Sequence, residues 1–177
     1  GILQGIFEFQ TLMSELTGLP VSNASMYDGA SAAAEACRVT LRRKRDRIIL
    51  AGALDPKIVD VIRSYFSSGD ARFDVCPAGD DGLIDMEALE ELAGDDLAGV
   101  FVMQLNARGL IEDVKAVSDF AHKNKALSVV YSNPMSLAIL ETPGALGADL
   151  CVGDAQPLGI PLSYGGPYVG FLCSTDK

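Results

Sequence analysis

Apolar positions along the chain recur with two periods, one helical and one extended, and the two alternate. Ile2, Ile6, Phe9, Met13 and Leu16 step by four and three, which is one face of a helix. Gly18 and Pro20 end it. A short strand over Val21–Ala24 leads into a small polar turn, Ser25–Ser31, and Ala30–Leu41 reads as an Ala-rich helix able to approach a sheet closely. Arg47–Ala51 is the next strand, and Asp55-Pro56 supplies an N-cap and a first-turn proline for a helix to about Phe66. Arg72–Cys76 follows as a strand. Asp85 caps another helix, with Ile84 and Leu89 placed as a hydrophobic staple. Leu97–Gln104 is a near-continuous apolar run, the pattern of a strand buried on both faces. Asn106-Ala107-Arg108-Gly109 turns the chain, and Glu112-Asp113 opens a helix to about Lys123 with acids in its first turn. Ala126–Tyr131, Ala148–Val152 and Tyr168–Cys173 complete seven strands.

Strands alternating with helices predict a doubly wound, three-layer α/β/α domain with a mainly parallel sheet. The link between the sixth and seventh strands has no evident helix and is too short for a right-handed crossover, so the seventh strand is expected to run antiparallel. Crossovers that send the strand ends one way would gather Asp28, Asn106, Asn133 and Gln156 along one sheet edge, where sites of such folds are built. Residues 1–177 read as a single domain. The helical pattern is already under way at Ile2, which points to a segment of a longer chain.

Composition narrows the function classes. Hydrophobic residues make up 49% and the net charge is −10. That balance weighs against disorder and against a nucleic-acid surface, which needs clustered Lys and Arg. No apolar run approaches the roughly 20 residues of a membrane helix, and no signal peptide is visible. Cys37, Cys76, Cys151 and Cys173 lack Cys-x-x-Cys spacing and sit mostly in apolar contexts. They read as four buried thiols of a cytoplasmic protein, with neither a zinc site nor a disulfide framework expected.

Candidate chemistry is sparse. Ser25–Ser31 precedes a helix and offers backbone N–H groups to an anion, but Asp28 would cap that helix itself and repel phosphate. Arg42-Arg43-Lys44-Arg45 reads as the solvated end of the preceding helix. His122, the single histidine, reads as a surface residue without a nucleophile or metal partner, and no metal site is expected. The densest Gly/Pro stretch is Gly147–Phe171, whose loop holds Pro157, Gly159, Pro161, Gly165, Gly166 and Pro167. No lysine lies in that loop; the lysines fall at 44, 57, 115, 123, 125 and 177.

The arrangement looks like the large domain of fold-type I (aspartate aminotransferase-like) pyridoxal-phosphate (PLP) enzymes. Specific stretches narrow the likeness: Gln4-Gly5-x-x-Glu8-x-Gln10, Leu16-Thr17-Gly18-Leu19, Asn23-Ala24-Ser25-Met26-Tyr27-Asp28-Gly29-Ala30, Glu35-Ala36, Gly147-Ala148-Asp149 and Gln156–Tyr168. These resemble the glycine decarboxylase (P-protein) family of the glycine cleavage system, in its subunit 1, the α or N-terminal half. The likeness covers nearly the whole segment and is strongest at its ends. It implies the core of a large domain in a non-cofactor subunit, paired with a homologous β subunit that holds PLP.

The reaction so implied decarboxylates glycine and passes the aminomethyl group to the lipoyl arm of H-protein. By the same resemblance Gln156 stands where a cofactor-binding half has its Schiff-base lysine, and an amide forms no Schiff base. Asn133 stands for the aspartate that protonates the pyridine nitrogen, and Asp28 lies at the phosphate cup. No catalytic residue is then expected in this chain. Ser25, Asn106, Arg108, Gly165 and Gly166 are expected to edge the site, although turn formation equally accounts for Asn106 and Arg108. The chain is expected to shape its partner's site and lipoyl entrance from across an interface, and an isolated piece could self-associate through that surface. Two alternatives stay open: a scaffold or regulatory module outside the decarboxylase, and a self-sufficient PLP enzyme.

Overall fold

The computed structural model describes residues 1–176. Its elements are α1 (Ile2–Thr17), β1 (Val21–Ser22), α2 (Gly29–Thr40), β2 (Arg47–Ala51), α3 (Pro56–Tyr65), β3 (Arg72–Cys76), α4 (Met86–Glu91), β4 (Leu97–Met103), α5 (Val114–Lys123), β5 (Leu127–Tyr131), β6 (Leu150–Asp154) and β7 (Gly170–Ser174). Single 3₁₀ turns at Ser136–Ala138 and Gln156–Leu158 lie either side of β6.

The strands form one sheet in the order β1-β7-β6-β5-β4-β2-β3. β2, β3, β4, β5 and β6 pair in parallel, and β7 runs antiparallel to both β6 and β1. The short β6–β7 link therefore acts as expected, since only a helical crossover would return the chain parallel. β2 and β4 are buried at every position, as continuous apolar runs with helices on both faces should be.

Alternation along the strands divides the core in two. Ile48, Leu50, Phe101 and Val129 face Ala33, Cys37 and Ile62 of α2 and α3. Ile49, Val100, Val102 and Val130 face Val117 and Phe120 of α5 and Leu89 of α4. Cys151 lies opposite Val130 in the ladder, so α1, which packs Met13 on Cys151, Phe171 and Cys173, shares the α5 side. The periodic face of α1 is buried only near its C-terminus. Met13 is enclosed, whereas Ile2 is 85% exposed and Ile6 41%. Gly18 ends α1 at φ 71°, with its N–H on Ser14 O, a left-handed cap that glycine adopts without steric cost.

Aspartates open four helices. Asp28 Oδ1 accepts from Ser31 N, Asp55 Oδ1 from Lys57 N, Asp85 Oδ1 from Glu87 N and Ala88 N, and Asp113 Oδ1 from Ala116 N. The staple expected at Ile84 and Leu89 is buried.

Two expectations change. Arg42–Arg45 does not continue α2: Arg42 and Arg45 bridge a tight turn with Lys44 at φ 70°. Arg45 Nη1 donates to Leu97 O and Asn124 O, so it closes the C-terminus of α5 rather than of α2. Glu112 lies outside the first turn of α5 and is buried, its oxygens accepting from Ile84 N and Asn106 Nδ2. His122 is exposed, as expected of a surface residue, and its Nε2 lies 2.8 Å from Asp149 Oδ2, which also accepts from Ser128 N.

Candidate functional site

The C-terminal ends of the parallel strands open into a cleft of about 380 Å³, lined by Asp28, Ala30, Asp55, Lys57, Ile58, Tyr131, Asp154 and Tyr168. β5 delivers Tyr131, β6 delivers Asp154, and the starts of α2 and α3 deliver Asp28 and Lys57. Glycine makes the approach possible. A Cβ on Gly29 would lie 2.5 Å from Tyr131 Oη, 2.8 Å from Asp154 N and 2.9 Å from Gly153 C, all inside contact distance. With hydrogen there instead, the start of α2 sits on the end of β6, and Gly29 N donates to Asp154 Oδ2.

The cleft is acidic. Three carboxylates face one lysine; burial, and after it Asp154, Asp28 and Asp55, push the Tyr131 phenol well above its ordinary value. The hydroxyl therefore stays protonated at neutral pH. Asp154 has both oxygens engaged, Oδ2 with Gly29 N and Oδ1 with Gln156 N at 2.9 Å.

Of the expected site residues, the structure brings Asp28 into the cleft and Gln156 to the turn just beyond it. The Gln156 amide Nε2 donates to Ile160 O, closing the 3₁₀ turn on itself. Asn133 does not line the cleft. It is exposed, and its Oδ1 accepts from Met135 N; the residue β5 presents to the cleft is Tyr131, two positions earlier. Asn106 is buried and fully used: Nδ2 donates to Gly82 O and Glu112 Oε1, while Oδ1 accepts from Arg108 N and Leu110 N. It fastens the β3–α4 and β4–α5 loops together and does not reach the cleft, and Arg108 is exposed on that turn. Ser25 is exposed beside Tyr27. Gly165, at φ 88°, and Gly166 turn the β6–β7 loop, both N–H groups meeting Leu162 O.

Lys57 and Tyr131 were not anticipated at the cleft, because only the crossover from β2 to α3 places the first beside the second. Lys57 reaches the cleft from α3, across from the β6–β7 loop. Among the described residues no cluster of His, Cys, Asp or Glu is arranged to hold a metal ion.

A PLP group does not fit this cleft. At the start of α2 the N–H groups of Gly29, Ser31 and Ala32 are taken by Asp154 Oδ2, Asp28 Oδ1 and Asp28 O, and the carboxylates repel phosphate. Tyr131, neutral, offers a pyridinium no counter-charge. The β6–β7 loop has no amine to hold the aldehyde carbon.

The family model for the glycine cleavage system P-protein matches residues 1–177. The chain belongs to the glycine cleavage system P-protein family. It is 46% identical over 178 residues to the probable glycine dehydrogenase (decarboxylating) subunit 1 of Syntrophomonas wolfei, with all of this chain and 40% of that protein covered. The Geobacillus kaustophilus counterpart is 46% identical over 173 residues, covering 97% of this chain and 38% of its own. The chain thus spans about two fifths of these P-protein relatives' length.

A crystal structure of P-protein glycine decarboxylase in inhibitor-bound form superposes with a TM-score of 0.92 at 38% identity, over 99% of this chain and 39% of that one. The P-protein segment also shares its fold with MetB of Corynebacterium glutamicum, at a TM-score of 0.75 and 18% identity over 97% of this chain and 42% of that one. A Campylobacter jejuni O-acetylhomoserine (thiol)-lyase carrying pyridoxyl-lysine gives 0.74 at 16%, over 96% and 39%. The fold is that of fold-type I PLP-dependent enzymes.

Proposed function

We propose that this chain is the large-domain core of the non-cofactor (α) subunit of a glycine-cleavage P-protein, and that PLP sits on a homologous β subunit. The observation that carries the reading is the cleft itself. It lies where fold-type I enzymes build their site, yet it is lined by Asp28, Asp55 and Asp154 and faces a loop whose Schiff-base position is Gln156. A half that has lost its phosphate contacts, its counter-charge and its amine still retains the rigid Gly/Pro loop and the Gly29–Gly153 packing that shape the edge.

In this role the chain's own residues supply form rather than a reacting group. Asp154 ties α2 to the loop after β6. Gln156 fastens that loop to Ile160, and Glu112 with Asn106 holds the neighbouring loops. The complex takes glycine and the lipoyl arm of H-protein, and works in the cytoplasm. Among the described residues no helix is long and apolar enough to cross a membrane. The test is glycine-dependent release of carbon dioxide by the full-length subunit, its partner and lipoylated H-protein. Both subunits should be required, with PLP recovered on the partner. Turnover by the subunit carrying this segment, without the partner, would refute the assignment.

A further inference from the structure

At the N-terminal ends of the parallel strands, opposite the acidic cleft, two tight turns carry exposed cations. Arg42, Arg43 and Lys44 lie on the turn before β2, and Lys125 lies on the turn between α5 and β5. Both turns are fixed. Arg42 and Arg45 bridge across the first, and Lys44 and Lys125 hold left-handed backbone at φ 70° and 58°. Arg45 Nη1 donates to Leu97 O and Asn124 O, each at 2.8 Å, and so ties the first turn to β4 and to the second turn. Only β4 separates β2 from β5 in the sheet, which sets the two turns roughly 10 Å apart, two strand spacings.

Charge along this edge is balanced around the turns but not on them. Beside β3, Arg47 pairs with Asp74 and Asp96, and Arg72 with Asp46 and Asp96. At the end of α5, Lys123 pairs with Glu90, and His122 meets Asp149. Among the described residues Arg42, Arg43, Lys44 and Lys125 enter no ion pair. The turn into β4 adds one exposed acid, Asp95, so these four cations stand against one carboxylate. The acidic cleft does not cancel them. The five residues of β2 put about 17 Å between the two ends of the sheet, twice the Debye length of about 8 Å at physiological salt.

We propose that these two turns form the docking surface for an acidic segment, a run of Asp and Glu, of a partner protein. The surface lies at the opposite end of the sheet from the cleft and is independent of the glycine-cleavage reading. Extended chain advances about 3.4 Å per residue, so about four acidic residues span both turns. Arg42 and Arg43 offer planar forks that match carboxylates, and Lys44 and Lys125 add point charges. Because the turns are held before a partner arrives, the ordering cost of binding is lowered. Size selects a peptide over a larger polyanion. A nucleic acid or an anionic membrane would extend past the four cations onto Asp46, Asp95, Asp96 and Asp149, in a chain already at −10.

Fluorescence anisotropy of a labelled hexaglutamate peptide, titrated with the full-length subunit at low and high salt, tests the proposal. Wild type should bind, with affinity falling as salt rises. Arg42→Gln, Arg43→Gln and Lys44→Gln combined should weaken binding about tenfold, as the loss of three exposed charge pairs implies. Lys125→Gln alone should weaken it about twofold. Arg63→Gln removes an exposed cation of α3 outside the turns and should change little. All these side chains are exposed, and circular dichroism should show each variant folded. Absence of peptide binding by wild type, or equal binding by the triple variant, would overturn the proposal. So would tighter binding of an oligonucleotide or of phosphatidylserine vesicles through the same residues, because the surface would then serve a different polyanion.

Discussion

Gly29→Ala tests whether the cleft depends on close backbone contact at the start of α2. The added methyl would stand 2.5 Å from Tyr131 Oη, 2.8 Å from Asp154 N and 2.9 Å from Gly153 C. Ordinary carbon contacts lie at roughly 3.5–4.0 Å, so each overlap is about half an ångström or more. The phenol can swing aside, but the other two atoms are backbone of β6, held in register with β7 from Leu150 to Asp154. The helix start has to lift instead, which breaks the Gly29 N–H bond to Asp154. Overpacking of this kind costs about 1–3 kcal/mol, and two rigid partners put Gly29→Ala near 3 kcal/mol. Alanine's better helix propensity returns less than about 1 kcal/mol. For a chain of this size a net loss of about 2–3 kcal/mol lowers Tm by roughly 4–12 °C. Urea unfolding followed by circular dichroism, with the Tyr131 environment read by near-UV absorption, measures both effects. A loss under about 0.5 kcal/mol with an unchanged tyrosine signal would show that α2 does not rest on β6 as described.

Two further outcomes follow from the titrating groups. Burial raises the Cys37 thiol to about 12 and Cys76 to about 11, and raises Cys151 and Cys173 as well. All four thiols should therefore resist a thiolate-selective reagent at pH 8 in the folded chain and react once it is unfolded in urea; rapid native labelling of any of them would contradict their burial. At the sheet edge, hydrogen bonds from Arg72, then Arg47, hold the Asp96 carboxyl below its ordinary value, and Arg72 does the same for Asp46. A depressed folded-state pKa means stability that is present above about pH 4 and lost as pH falls further. Asp46→Asn with Asp96→Asn should reduce that acid-side slope, and an unchanged slope in urea titrations would remove the network from the account.

Most of the fold was legible because its signals are local. Asp28, Asp55, Asp85 and Asp113 mark helix starts in the sequence and cap them in the structure, and the near-continuous apolar run of β4 could only be a strand covered on both faces. What was not legible depends on residues far apart in sequence. The His122–Asp149 pair spans 27 positions, and Arg45 finds its acceptors at Leu97 and Asn124. α1 shows the limit of periodicity: spacing selects a face, but Ile2 and Ile6 stay exposed while Met13, over β6 and β7, is enclosed. At the site, Asp28 was visible as a helix cap and does line the cleft, and Gln156 lies at the turn after β6. Tyr131 was hidden, since the strand's last apolar position looks like core until β6 and the starts of α2 and α3 place three carboxylates around it.

The most direct test of the central claim is visible absorbance of the full-length subunit after adding PLP, followed by borohydride reduction and peptide mapping. No aldimine band and no labelled lysine are expected, and Gln156→Lys alone should not change this, because Asp28, Asp154 and a neutral Tyr131 remain. A stoichiometric band with the label at one lysine, above all at Lys57 in the cleft, would show that this half holds the cofactor after all.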